Sequence, residues 1–227
     1  MSSSTIGILK ENSLHAEIKN WYQQPNDTQE VKLEGYLIDI VRGDILIEIQ
    51  TSHLYSLRDK LAKLLPDHAI RLVYPIPVCK WISRFDADGS VLLGRRKSPK
   101  HCRIHSLFEE LIYLPTQFMH QNFSLEVLLI EQEDIWINNG MGSWRRKHWS
   151  IADRKLWTVS DRKVFYCPED FLALLPDDLP NLFTSQDIAS RTGVSPSLAR
   201  KMLYCLHKMN QIEVVGINKR LRLYSTF

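Results

Sequence analysis

Cysteine is scarce in this chain, and what there is does not pair. Cys79, Cys102, Cys167 and Cys205 stand far apart with no Cys-X-X-Cys, which excludes a zinc ribbon and suits a reducing compartment. No apolar run approaches the roughly 18 residues of a membrane helix. The opening MSSSTIGILKENS has no basic stretch followed by an apolar one, so the cytoplasm is the expected compartment and a membrane is not an expected partner. Neither a Gly-rich phosphate loop nor a Gly-X-Ser-X-Gly elbow occurs, which removes the chemistries those motifs carry. Net charge is also small, at +3. It neither demands nor forbids a polyanionic partner, so the local placement of cations has to decide.

What is present is an ordinary globular balance. The chain has 227 residues, 44% hydrophobic and 24% charged, enough for one sizeable core and a small second domain. Its most informative stretch is Glu34 to Thr51, EGYLIDIVRGDILIEIQT. Two β-branched-rich runs flank Arg42-Gly43-Asp44, the pattern of paired antiparallel strands. Side chains alternate, so Leu46, Glu48 and Gln50 share one face of the second strand, and Leu37, Asp39 and Val41 share a face of the first. An acid from each strand then faces one small volume. Burying two carboxylates is costly unless something neutralises them, and a hard divalent cation does so. A hairpin with one wet face is the plainer alternative.

Elements of definite order surround this hairpin. Ser13 can cap a helix from Leu14 to about Gln24, with Leu14, Ile18, Trp21 and Tyr22 on one side and Glu17 beside them. A second amphipathic helix runs from about Leu54 to Leu65, with Arg58, Asp59, Lys60 and Lys63 outward, and Ala69 to Val78 reads as a strand. Helix, strand, strand with Glu-X-Gln, helix, strand resembles the PD-(D/E)XK nuclease superfamily over roughly residues 12 to 80. The resemblance implies an α/β fold with a restriction-endonuclease-like mixed sheet flanked by helices. It also implies Mg²⁺ or Mn²⁺ held by Asp39 and Glu48, with Glu17 supporting the metal or orienting a water. Gln50 stands where the family usually carries lysine, and offers a hydrogen bond without a positive charge. The implied catalytic set is Glu17, Asp39, Glu48 and Gln50.

Further on, Arg84 to Gly89 reads as a hairpin turn, and Leu93 to Lys100 is cationic. Arg95, Arg96 and Lys97 there suit either a solvated loop or one that meets phosphate. His101, Cys102 and His105 lack a fourth ligand and read as surface loop residues. A helix is expected from Ile104 to about Phe118 and a buried strand from Ser124 to Glu131. Two further strands, around Ile135-Trp136 and Lys155 to Ser160, would bracket Trp144 to Trp149, where Arg145, Arg146 and Lys147 lie between tryptophans. That mixture can meet phosphates and stack on bases, or the tryptophans can pack on the sheet.

The last 45 or so residues look like a winged helix-turn-helix. Thr184 caps one helix, Gly193 turns, Ser195-Pro196 opens a second, and two strands flank Asn218-Lys219-Arg220. Ser197, Arg200, Lys201, His207 and Lys208 lie on or near the open side of the second helix, with Lys219, Arg220 and Arg222 in the wing. In a duplex reader these would face the groove and the backbone; protein contact is the alternative use. Three parts are expected: residues 1–165, a linker at 166–183 with a short helix, and the winged helix at 184–227. The leading function is a metal-dependent DNA nuclease. The alternative is a nucleic-acid-binding or assembly protein that keeps the fold without cleavage. RNA as partner and a homodimer stay open.

Overall fold

The computed structural model describes residues 13–226; the first twelve residues of the expected N-terminal part, and Phe227, lie outside them. At its centre is one mixed sheet. Strands β1 (Thr28–Leu33), β2 (Tyr36–Arg42) and β3 (Ile45–Ile49) form an antiparallel meander. Then β3 runs parallel to β4 (Ala69–Phe85), β4 runs parallel to β6 (Phe123–Ile137), and β7 (Ser150–Phe165) completes the row antiparallel to β6. The order is β1-β2-β3-β4-β6-β7, and β5 (Leu92–Lys97) pairs only with the far half of β4. Gly43, at φ 55°, supplies the left-handed residue that the β2–β3 turn needs.

Three strands are much longer than expected, at 15 to 17 residues, so Ile135-Trp136 is the end of β6 and not a separate strand. The far halves of β4, β6 and β7, with β5, extend the sheet past the end of β3. Neither β1 nor β5 was expected. Neither contains a buried residue, so the apolar alternation that marks a strand is absent from them. Pro75 and Pro77 lie within β4, yet cost no sheet bonds. They fall between Val73, where pairing with β3 ends, and Trp81, where pairing with β5 begins. Along that stretch one edge of β4 is open, as strand prolines require.

Both faces carry helices. Helix α1 (Ser13–Tyr22) packs Leu14, Ile18 and Tyr22 on Ile40, Ile47, Ile49, Val73, Leu128 and Ile130. Trp21, expected inward, is exposed. The other face is covered by a 3₁₀ turn at Leu54–Leu57 running into α2 (Arg58–Leu64), and by α3 (Phe108–Leu111). The helix expected from Ile104 to Phe118 is broken into a 3₁₀ turn (Ile104–Leu107), α3 and a second 3₁₀ turn (Gln117–Met119), Pro115 being unable to continue a helix.

The C-terminal part consists of α4 (Ser185–Thr192), α5 (Pro196–Lys208) and a hairpin of β8 (Ile212–Asn218) and β9 (Leu221–Thr226). Thr184 and Ser195 cap the two helices through their side chains, and Gly193 turns between them at φ 70°. This part does not have a core of its own. Phe171, Leu174 and Phe183, from the expected linker, join Leu72 and Val127 of the sheet to Met202, Leu203 and Leu206 of α5 in one continuous cluster.

Candidate functional site

The β2–β3 register places Ile40 opposite Ile47 and Val41 opposite Leu46, which brings Asp39 beside Glu48. Asp39 sits at an irregularity. The β1–β2 pairing skips from Gln29↔Ile40 to Val31↔Ile38, and Glu30 between them has φ 55°. As a result Ile38 packs on the α2 side of the sheet while Ile40 packs under α1. Released from the ladder, the Asp39 carboxylate turns over the end of β3 and accepts the Ile49 amide at 2.8 Å. Glu48 lies beside Leu72 of β4, near the point where β3 stops, and is 6% exposed.

Two side chains answer these acids, a histidine and a lysine, and neither was anticipated. His15 on α1 places Nε2 3.1 Å from Asp39 Oδ1. Lys60 on α2, expected to point outward, donates to Glu48 Oε1 and to the Leu37 carbonyl, its side chain only 11% exposed. Lys60 stands three residues past buried Leu57 and four before buried Leu64, at the edge of the helix's inward stripe, and its long stem reaches the sheet from there. No signal in the sequence separates Lys60 from its neighbours. Burial works to raise the Asp39 pKa, but His15, the Ile49 amide and the charge of Lys60 outweigh it and leave it lowered. For Glu48 burial wins: despite Lys60 its pKa is pushed up to about 7, with Asp39's charge adding to the rise.

The other expected catalytic residues are not brought to this point. Glu17 accepts the Leu156 amide of β7, so α1 contributes His15 where Glu17 was expected. Gln50 lies one residue past β3, its amide turned away to the Ser52 carbonyl at 2.6 Å and Ser56 Oγ at 3.3 Å. The Lys60 ammonium thus stands where Gln50 was expected to act. Among the described residues no three His, Cys, Asp or Glu side chains come together as a metal cluster. Asp39 and Glu48 nevertheless offer oxygen donors of the sparse kind that suits Mg²⁺, which one or two carboxylates hold while water and substrate phosphate complete the shell. The donor chemistry fits, provided Lys60 yields its place on Glu48.

The expected nucleic-acid contacts divide. Arg95 is fully engaged: its guanidinium lies 4.4 Å from the Trp81 ring and 4.3 Å from the Trp157 ring and pairs with Glu133 at 2.9 Å. It fastens β5 to the sheet and is not a loose phosphate contact. Arg96 and Lys97 are exposed on β5. Arg145 lies over Trp144, and Arg146 donates to the Trp149 carbonyl at 3.2 Å. Lys147 takes up a left-handed turn at φ 51°. On α5, Ser197, Arg200 and Lys208 are exposed, whereas Lys201 is paired with Glu109 beside α3. Lys219 and Arg220 form the tip of the β8–β9 hairpin. His105 is half-buried, its Nε2 3.1 Å from the Leu174 carbonyl, and burial lowers its pKa; it is not the surface loop residue expected.

The family model described as Domain of unknown function (DUF8091) matches residues 12–166, the whole of the seven-stranded sheet. An uncharacterized protein of Treponema pallidum (strain Nichols) is 34% identical over 201 residues, covering 88% of this chain and 80% of that protein. That share cannot be reached without the C-terminal helices. No solved structure matches.

Proposed function

The chain belongs to the DUF8091 family, and on the geometry it carries we propose that it is a metal-dependent nuclease, hydrolysing phosphodiesters of DNA. The observation that supports this is the meeting of Asp39 and Glu48 at the end of β3, with Lys60 and His15 on them. Two acids close enough for Asp39 to raise the Glu48 pKa cost stability, and such costs gather at functional sites. Mg²⁺ or Mn²⁺ bound there would supply Lewis acidity toward phosphate and lower the pKa of a bound water.

The chain's own residues do the rest. Asp39, kept ionised by His15 and the Ile49 amide, is a fixed anion. Glu48, titrating near neutrality, can take a proton at working pH. Lys60 supplies the positive charge that the Glu-X-Gln strand lacks, and from Glu48 it is close enough to turn toward a phosphate oxygen. The fold reading that goes with this is a restriction-endonuclease-like sheet with a C-terminal winged helix, whose Arg200, Arg220 and Arg222 supply phosphate contacts.

A non-catalytic nucleic-acid-binding role is the second reading. What favours it is that Gln50 faces its own loop and Lys60 already neutralises Glu48. The test is a cleavage panel of duplex, single-stranded and branched DNA, and RNA, with Mg²⁺ or Mn²⁺. Products that disappear in Asp39→Asn and Glu48→Gln support the nuclease. No product from any substrate, or products unaffected by both variants, overturns it.

A further inference from the structure

From the Gln50 loop a strip of aromatic rings runs to Tyr113, and the neighbouring Ile112 opens onto α5. Gln50 is bonded to Ser52. The next ring, His53, lies 5.8 Å from Tyr55 at 82°, and Tyr55 lies 5.9 Å from Tyr113 at 70°. This loop is held in place, since the Leu54 amide donates to Glu110 Oε2 at 2.9 Å. Ile112, next to Tyr113, lines a depression of about 360 Å³ with Ser197, Arg200 and Tyr204. Arg200 and Tyr204 also line a groove of about 280 Å³ with His207, Arg220 and Arg222. Tyr55, Tyr113 and Tyr204 are 54%, 46% and 43% exposed. Among the described residues none of the three arginines is in an ion pair.

Rings presented on a rigid surface, followed by a cationic groove, are the equipment that holds single-stranded nucleic acid: bases stack, and phosphates follow the cations. Duplex offers few base faces to such rings. It also suits α5 poorly. A helix with its side chains is about 10–12 Å across, and a major groove is about 12 Å wide. Here α3 flanks α5 and is tied to it through Glu109 and Lys201, so the pair is too broad to enter.

We infer that this strip is a track for single-stranded nucleic acid, leading from the α5 groove past Tyr204, Tyr113 and Tyr55 to Asp39 and Glu48. The inference rests on the nucleic-acid reading above and narrows it to single strands or single-stranded ends. The test uses the full chain and labelled oligothymidylate, with a hairpin duplex of equal length, in EDTA so that no cleavage is required. Fluorescence anisotropy should show the single strand bound more tightly than the duplex. Tyr113→Ala and Tyr204→Ala should each weaken it about five- to hundred-fold, while Tyr113→Phe and Tyr204→Phe keep it. Arg220→Ala with Arg222→Ala should lower the salt slope by about 0.7 per arginine. Equal affinity for duplex, or single-strand affinity indifferent to folded Tyr113→Ala and Tyr204→Ala variants, overturns the track. Because binding is read without metal, failure of cleavage leaves the track standing. Full-rate cutting of single strands by the tyrosine variants removes the track and leaves the nuclease.

Discussion

Two buried carboxylates in this sheet are handled in opposite ways. Glu126 on β6 is 1% exposed: the Tyr22 hydroxyl donates to its Oε2 at 2.5 Å, Arg71 and Arg162 stand 3.7 Å away, and Oε1 accepts no hydrogen bond among the described residues. Burial and this carboxylate push the Tyr22 hydroxyl up to about 12. Its partners come from α1, β4 and β7, so the cluster ties elements together. Glu48 has Lys60 and the Asp39 backbone amide, has Asp39's charge working against it, and burial pushes its pKa up to about 7. A carboxylate whose neighbours come from three elements ties the fold together, whereas one at the end of a strand, opposed by a second acid and answered by a single lysine and an amide, is the kind that chemistry can use.

The comparison breaks most visibly at Glu126. Glu126→Ala leaves Arg71 and Tyr22 without their partner, and should cost about 3–5 kcal/mol of stability in denaturant unfolding. Glu48→Gln should cost far less, yet remove cleavage. If the two variants are equally destabilised, the distinction between structural and usable charge is lost.

Next comes pH. With its pKa raised from 4.5 to about 7, Glu48 contributes its full stability below the ordinary range, where folded and unfolded chains are both protonated. As pH rises from about 4.5 to 7 the unfolded chain releases this proton first, and up to about 3 kcal/mol is lost. Unfolding free energies of the parent minus those of Glu48→Gln, taken across that window, should fall with rising pH. A flat difference contradicts the buried, raised carboxylate.

Smaller effects sharpen the assignment. Gln50→Ala should change single-turnover cleavage by less than about tenfold, because its amide serves the Ser52 loop, whereas Lys60→Met should lose about a hundredfold or more. At the far end of the sheet, Arg95→Ala should lower the melting temperature and leave the salt dependence of binding unchanged. Arg96→Ala with Lys97→Ala should do the reverse, reducing the slope of log affinity against log salt by roughly one to two units.

These contrasts also mark how far the sequence could be read. The Glu34–Thr51 hairpin, α1, α4 and α5 with the caps of the last two, and the β8–β9 hairpin were legible because each carries its own periodicity and its own stop signals; Ser13, expected to cap α1, lies in the helix and donates to Asp153. Glu48 was legible because strand alternation fixes its direction, and the β2–β3 turn sets Asp39 beside it; the break in alternation that turns the Asp39 carboxylate onto the Ile49 amide was not. Lys60 and His15 were not: their roles depend on how each helix docks on the sheet, and Lys60 at the edge of the α2 stripe can face either the sheet or solvent. The long arms of β4, β6 and β7 escaped because their far halves are stabilised by cross-strand stacking, such as Arg95 between Trp81 and Trp157, and not by an alternating apolar face. Gln50 was misplaced by one residue's worth of strand: β3 ends at Ile49, and the side chain beyond it obeys the loop.

The central claim is that Asp39, Glu48 and Lys60 form one catalytic unit. The most direct measurement is single-turnover cleavage, in saturating Mg²⁺, by Asp39→Asn, Lys60→Met and the double variant, each shown to be folded. Residues acting as a unit are not additive, so the double variant should cut no more slowly than the slower single one. Losses that multiply, or a Lys60→Met protein that cuts at the parent rate, would contradict it.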